Sequence, residues 1–155
     1  MRYSDAYRAN TSVLKLHLGV VDVPYEEGEK STGDVAEILE QEYHVMELFT
    51  EEVGSEAISN AFAQSAQRAC EDLFSGAPAT SLNLTYEATE EIASAFRVFL
   101  DQRELDGVVL GVPTQAALKG VNHRLAHPYA KSNPERPSFI DTGLYGSSFR
   151  AWTDA

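Results

Sequence analysis

The sequence has little positive charge and almost no cysteine. It has 12 Lys and Arg residues against 24 Asp and Glu residues, a formal net charge of -12. That balance argues against a surface built to grip nucleic-acid phosphates. The single cysteine, Cys70, excludes an internal disulfide, and its place among alanines in a helical pattern predicts a small buried core residue rather than a nucleophile.

Long apolar runs are also missing. No stretch approaches the roughly 20 apolar residues that span a bilayer, and the N-terminal residues lack the apolar run of a signal peptide. We therefore expect a protein that is soluble and cytoplasmic when made and makes no membrane contact. What is present is typical of a globular chain, since 43% of the residues are hydrophobic and 23% are charged. We expect one domain, residues 1–155.

Charge is distributed unevenly along the chain. Residues 22–56 contain twelve acids and one lysine, a net charge of -11, whereas residues 119–150 have a net charge of +3. This asymmetry suits head-to-tail self-association, although a solvated acidic helix face would look the same in the sequence. The candidate acidic surface comprises Glu37, Glu40, Glu47, Glu51 and Glu52.

Hydrophobic periodicity in the first half predicts a strand and then a long helix. Apolar residues alternate with other residues in VLKLHLGVV, residues 13–21, which indicates a half-buried strand. From residue 34 to residue 74 apolar residues recur every three or four positions, with Ser31 or Thr32 available as a cap. Gly54 is expected to bend this helix without ending it.

The second half predicts shorter elements. SLNLTY, residues 81–86, alternates as a second strand, and a third helix follows up to Gly107. VVLGV, residues 108–112, indicates a buried strand or core turn, and residues 113–125 a fourth helix with an early proline. The predicted fold class is therefore α+β, with a long helix and two to three further helices packed on a small sheet.

The C-terminal part contains Asp-Thr-Gly, the triplet on which aspartic proteases are built. Residues 126–138 hold three prolines and predict an extended, exposed connector. The protease hypothesis fails, because most of the chain has a helical pattern and few residues follow the triplet. Instead, Asp141 is predicted to cap a helix over residues 141–153 that presents Tyr145, Phe149 and Trp152 on one face.

The stretch P-S-F-I-D-T-G-L-Y-G-S-S-F resembles the signature I-D-T-G-x-L-x-x-S-[IF] of tailed-phage neck and tail-completion proteins, which join the DNA-filled head to the tail. Asp141, Thr142 and Gly143 fall on its central triplet, Ser148 on its serine and Phe149 on the following apolar position. Tyr145 departs from the pattern, which has leucine there.

The resemblance implies a non-enzymatic virion protein that forms a homo-oligomeric ring, with copies related by a six-fold axis, at the head-tail junction or in the tail. Its partners would be further copies of itself and other neck and tail proteins of the phage. DNA would pass through the ring without specific binding, and an acidic surface facing the lumen would repel the phosphate backbone. No cofactor is implied.

Other functions remain open from the sequence. An acidic α+β chain also suits a phage-encoded inhibitor that imitates DNA. An enzyme is the third alternative, because the sequence shows no convergent nucleophile, base and orienting group. His123 and His127 are four residues apart, but the sequence between them lacks the glutamate of a zinc protease. The acids Glu26, Glu27 and Glu29 lack the spacing of a calcium loop, so we expect no metal site.

Overall fold

Helices surround a two-stranded antiparallel sheet in the structure, a computed structural model that describes residues 15–25, 29–77 and 81–154, with backbone only for residues 81–84. Strand β1 is Leu16–Val20 and strand β2 is Phe149–Thr153. Leu18 lies opposite Ala151 in their register. The fold class is α+β, as the sequence predicted.

Six α-helices are present in the described residues, and one π-helical turn joins the second to the third. In chain order they are α1 (Thr32–Tyr43), α2 (Val45–Phe49), the π turn (Thr50–Gly54), α3 (Ser55–Ser75), α4 (Ser81–Asp101), α5 (Gln115–Leu118) and α6 (Leu144–Ser148).

Local chemistry defines both ends of α1. The Ser31 hydroxyl accepts from the Asp34 backbone N–H, and the Asp34 carboxylate accepts from the Ser31 N–H, a capping box that confirms the predicted start. His44 ends α1 in a left-handed conformation with φ 52°, a break that the sequence did not predict. Helix then continues from α2 through the π turn into α3, and Gly54 closes that turn where a bend was expected.

The predicted strand over residues 81–86 is wrong, because helix α4 begins at Ser81. Three alternating apolar residues fit one turn of helix as well as a strand, and in the helix Tyr86 is 65% exposed. Helix α4 ends at Asp101, before the predicted Gly107. Residues 108–112 form hydrogen-bonded turns in which Val112 is buried but Leu110 is 97% exposed.

Three phenylalanines from distant parts of the chain make the centre of the core. Phe96 of α4 stacks on Phe149 with ring centroids 4.0 Å apart, and Phe49 meets both edge-on at 5.2 and 6.1 Å. All three are fully buried. The start of β2 therefore packs directly on α4, and the C-terminal residues are part of the core rather than an appended arm.

Buried Thr32 fixes the entry to α1 against the chain that leaves β1. Its hydroxyl donates to the Val21 carbonyl at 2.6 Å and accepts from the Val23 N–H at 2.8 Å, and its own N–H donates to the Val23 carbonyl at 2.9 Å. The buried hydroxyl thus has partners in both directions. This contact places residues 23–25 beside α1, where they form one wall of the cleft described below.

Candidate functional site

The Asp-Thr-Gly triplet forms a loop before α6 and does not cap it. The residue that precedes the helix is Gly143, with φ 80° and no capping side chain, while the Thr142 hydroxyl accepts from the Leu144 N–H at 3.2 Å. Asp141 was predicted to start a helix over residues 141–153. That prediction is wrong, because the left-handed Gly143 turns the chain away from Asp141 and the helix gives way to β2 at Phe149.

Asp141 instead holds His123, 18 residues earlier in the chain. Its carboxylate accepts the His123 backbone N–H at 2.8 Å and contacts the imidazole Nδ1. The other ring nitrogen lies 3.0 Å from the Tyr129 hydroxyl. In the neutral imidazole, Nδ1–H donates to the carboxylate and Nε2 accepts from Tyr129, so one tautomer satisfies both contacts.

The environment of Asp141 favours its charged form. Burial alone raises the pKa of this carboxyl, but the bonds from His123 and the nearby Arg136 guanidinium outweigh burial, so the pKa lies below its ordinary value. Arg136 is 4.0 Å away and its side chain is only 12% exposed. Burial lowers the pKa of Arg136, and the second guanidinium, Arg124, lowers it further, while Asp141 opposes both effects.

Two arginines support the backbone around the triplet. Arg124 Nε donates to the Thr142 carbonyl at 2.8 Å, and a side chain at Gly143 would overlap its guanidinium, so this position requires glycine for space as well as for its positive φ. Arg136 donates through Nε to the Val121 carbonyl and through Nη1 to the Pro137 carbonyl, the latter at 3.1 Å. Neither arginine is recognisable as a site residue from the sequence, because their partners are backbone carbonyls that no spacing rule identifies.

Residues 126–138 are folded back and do not form the extended connector that the prolines predicted. The Asn133 side-chain amide donates to the carbonyls of His127 and Pro128 at 2.9 and 3.0 Å, and the Arg136 N–H donates to the Ala117 carbonyl at 3.2 Å. These bonds replace solvent as partners for the backbone, which the composition of the segment could not reveal.

A cleft of about 1150 Å³ opens beside the triplet. One wall carries His123, Arg124, Arg136 and Asp141. A second, mainly apolar wall comprises Val23, Pro24, Tyr25, Val35 and Leu39. Asp141 is the only carboxylate among the described residues that line the cleft, against two guanidinium groups.

The remaining signature residues belong mostly to the core. Tyr145, Ser148 and Phe149 are buried, and Tyr145 contacts Phe96 edge-on at 5.8 Å. Trp152 lies elsewhere: it stacks on His17 with ring centroids 5.5 Å apart. The predicted aromatic stripe on one helix face is therefore wrong, because Phe149 and Trp152 are on β2 and point to opposite faces of the sheet.

The five acids of the candidate surface have different environments. Glu40 accepts the backbone N–H groups of Met46 and Glu47 at 2.8 and 3.2 Å, which caps α2. Glu47 pairs with His44 at 2.9 Å and Glu37 accepts from Gln41 at 3.0 Å. The oxygens of Glu40 and Glu47 and a His44 nitrogen lie within 4.8 Å of one another, a grouping that the sequence analysis missed. Since both Glu40 oxygens already bind backbone, we assign this cluster to capping.

Glu51 and Glu52 differ from the other acids. Both are exposed on the π turn, and within the described ranges neither has a hydrogen-bond or ion-pair partner. Cys70 is also exposed, so its predicted burial is wrong. His123 and His127 do not share a helix, because α5 ends at Leu118.

Glu26 and Glu27 of the considered calcium cluster lie outside the described residues. Among the residues that the structure describes, none of the helices combines the length and apolar character that crossing a bilayer requires. Comparison with protein-family models, with curated proteins and with solved structures finds no match for this chain.

Proposed function

We propose that this chain is a non-enzymatic virion protein of a tailed phage, which forms a ring in the head-tail neck region as a connector or as a tail-completion or terminator subunit. The observation that carries the proposal is the packing of the signature. Its aspartate ties two distant loops together, and its Tyr145, Ser148 and Phe149 are buried in the core. A segment that is bound and buried in this way serves to hold the fold together. The resemblance of residues 137–149 to neck proteins then suggests in which assembly this fold is used.

The chemistry of the triplet also favours a structural role. A carboxylate that activates water needs a second acid or base and open space, whereas both Asp141 oxygens here are bound to His123. His123 in turn contacts Tyr129, which is 73% exposed and is its only other hydrogen-bond partner in the described part of the chain. The arrangement fixes loops and presents cations to the cleft.

The surface supports assembly. Phe74 is 93% exposed at the end of α3, Leu73 is 63% exposed beside it, and Leu110 is 97% exposed in the turns after α4. Leu73 and Phe74 are neighbours in the chain, and adjacent exposed apolar groups of this size are typical of contact surfaces. In the assembled ring, Glu37 and Glu47 face the lumen and repel the DNA backbone.

Immunolabelling of phage particles tests this function. An antibody raised against the purified chain is expected to label the junction of head and tail in particles of the phage that encodes the chain. Label at that junction supports the neck assignment. Particles that lack the chain by both labelling and mass spectrometry would overturn it, and capture of a DNA-binding protein by the purified chain would then favour the inhibitor alternative.

A further inference from the structure

Among the described residues, the lining of the cleft beside the Asp-Thr-Gly loop has more positive than negative charge. Two guanidinium groups and one imidazole line it, and Asp141 is the only described carboxylate among its lining residues. Asp141 is already bound to His123, so it compensates the arginines only in part. Arg124 is exposed, but the Arg136 side chain is only 12% exposed, and a largely buried cation without a full counter-charge is unfavourable, a cost that an anion entering from outside removes.

The geometry of the arginines leaves donors for such an anion. Arg124 uses Nε for the Thr142 carbonyl, and Arg136 uses Nε and Nη1 for the Val121 and Pro137 carbonyls. Each guanidinium is therefore held in place by backbone while keeping further N–H groups, and this preorganisation is what binding of a carboxylate requires. Burial lowers the pKa of Arg136, as expected for a cation that is short of negative partners.

The cleft has room for an occupant much larger than a bare ion. At about 1150 Å³ it exceeds the usual range of small-ligand pockets, and its second wall is apolar, with Val23, Val35 and Leu39 among the lining residues. A fitting occupant is a protein segment that carries exposed carboxylates.

The same chain presents such a segment on a different element. Glu51 and Glu52 are adjacent and exposed on the π turn and have no hydrogen-bond or ion-pair partner in the described residues, whereas Val53 after them packs against the core of its own chain. π-helical turns widen the helix and occur frequently at functional sites. The two carboxylates of this turn are complementary in charge to the two guanidinium groups that line the cleft.

We propose that the cleft lined by Arg124 and Arg136 receives the π turn of a second copy of this chain, with Glu51 and Glu52 bound by the two arginines. The contact is head-to-tail, since the donor and the receiving surface are different parts of each copy, and such contacts generate rings when the rotation closes. This inference deepens the proposed function and rests on its self-association. In this arrangement Glu51 and Glu52 bind the neighbouring copy, whereas Glu37 and Glu47 face the lumen.

Charge exchange tests the contact, with light scattering at about 0.05 M salt, where electrostatic contacts are little screened, as the readout. Arg124→Glu and the pair Glu51→Lys with Glu52→Lys are each expected to raise the concentration needed for assembly more than about tenfold, the effect of losing a charge-assisted contact. An equimolar mixture of the two variants is expected to assemble, because the intact turn of one enters the intact cleft of the other and the exchanged charges attract one another at the next contact. The triple variant that exchanges both charges is expected to assemble as well.

Matched controls keep the net-charge change and move it elsewhere. Lys131→Glu controls for Arg124→Glu, and Glu90→Lys with Asp101→Lys controls for the π-turn pair, since all three positions are exposed and none lines the cleft. Circular dichroism verifies folding of each variant. The π-turn pair leaves the Arg124 bond to Thr142 intact, so it tests the contact even where Arg124→Glu disturbs the loop.

Three results would overturn the inference: assembly of both variants at wild-type concentrations, a mixture no better than its components, or a wild-type protein that stays monomeric throughout. The particle labelling described above separates this failure from failure of the proposed function. If the antibody labels the neck but the charge variants assemble like the wild type, the cleft contact alone is contradicted. If the mixed variants assemble but no label is found on particles, the contact is supported and the neck assignment is contradicted.

Discussion

Helices α3 and α4 have equal length but opposite roles. Of the residues of α3, only Ala61 and Ser65 are buried, and its last turns expose Leu73 and Phe74. Helix α4 supplies a continuous buried row: Ala88, Ile92, Ala93, Phe96, Phe99 and Leu100. Both helices are amphipathic in sequence, so their periodicity does not distinguish them. The difference arises because β2 and α6 pack on the far side of α4, which leaves α4 between two layers and α3 outside.

The largest effect on stability is expected from removing a buried ring of α4, the inner helix. Phe96→Ala removes a fully buried ring that stacks on Phe149, and we expect a loss of about 3–5 kcal/mol in the free energy of unfolding. Urea denaturation measures it. The matched change on the outer helix, Phe74→Ala, is expected to stay within about 0.5 kcal/mol because this ring is 93% exposed. Similar losses for the two variants would contradict the inner and outer assignment.

The next largest effect is expected from removing the carboxylate that joins the loop before α6 to His123. Asp141→Ala removes the bonds to His123 and leaves that imidazole and Arg136 without their carboxylate, so we expect a loss of about 1–3 kcal/mol by urea denaturation at neutral pH. Asp101→Ala, which removes an exposed carboxylate at the end of α4, is the control and should change little.

The pH dependence of Asp141→Ala sharpens this prediction. The folded-state pKa of Asp141 lies below its ordinary value of 3.8, so its contribution to stability is present above that value and is lost as the pH falls through the folded pKa. The difference between wild type and variant should therefore narrow in acid. A difference that stays constant between pH 6 and the acid limit of about pH 2 would show that ionisation of this carboxyl does not contribute.

A smaller effect, of opposite sign, is expected where α6 meets α4. The Tyr145 hydroxyl is buried without a hydrogen-bond partner in the described residues, so Tyr145→Phe should stabilise the protein by about 1 kcal/mol in thermal and urea denaturation. Tyr86→Phe, at an exposed position of α4, is the control. A destabilised Tyr145→Phe variant would indicate that the hydroxyl has a partner after all.

Alkaline titration gives a second measurement on the same variant. Burial raises the pKa of Tyr145 well above its ordinary value of 10.0, and Glu40 and Tyr25 raise it further. In the unfolded chain this hydroxyl ionises near that ordinary value while the folded protein keeps its proton, so wild-type stability should fall as the pH rises above it. Tyr145→Phe should lose less stability over the same interval.

The smallest effect belongs to the outer helix. Cys70→Ser on α3 is expected to change the free energy of unfolding by less than about 0.5 kcal/mol, because the thiol is exposed. The native thiol should also react with a disulfide reagent as fast as in urea. Protection of the native thiol would place this face of α3 against another part of the protein or a second copy.

The sequence predicted those features whose physics is local. Strand β1 follows from period-two alternation, and the start of α1 follows from the cap predicted at Ser31 or Thr32. The short apolar runs at residues 81–86 and 108–112 misled the prediction, because a run of this length fits a helix, a strand or a turn equally well.

The sequence identified the loop of the candidate site but not the residues that Asp141 contacts. Asp-Thr-Gly marked the correct loop, yet the role assigned to Asp141 was a helix cap, since N-capping is the commonest local use of an aspartate before a helical pattern. Its real partner, His123, lies 18 positions away and was weighed only for metal binding. The arginines that line the cleft bind backbone carbonyls, which leave no trace in the spacing of side chains.

By itself, then, the sequence determined the α+β class, the first strand, the long helical half and the separation of acidic from basic regions, because periodicity and charge are properties of neighbouring residues. Only the tertiary structure decided that residues 149–153 form a strand, since their partner β1 is more than a hundred residues away. The fold likewise made α4 the inner helix and brought Asp141 to His123. Long-range pairing selects among local conformations of similar energy, and a single sequence carries no record of that selection.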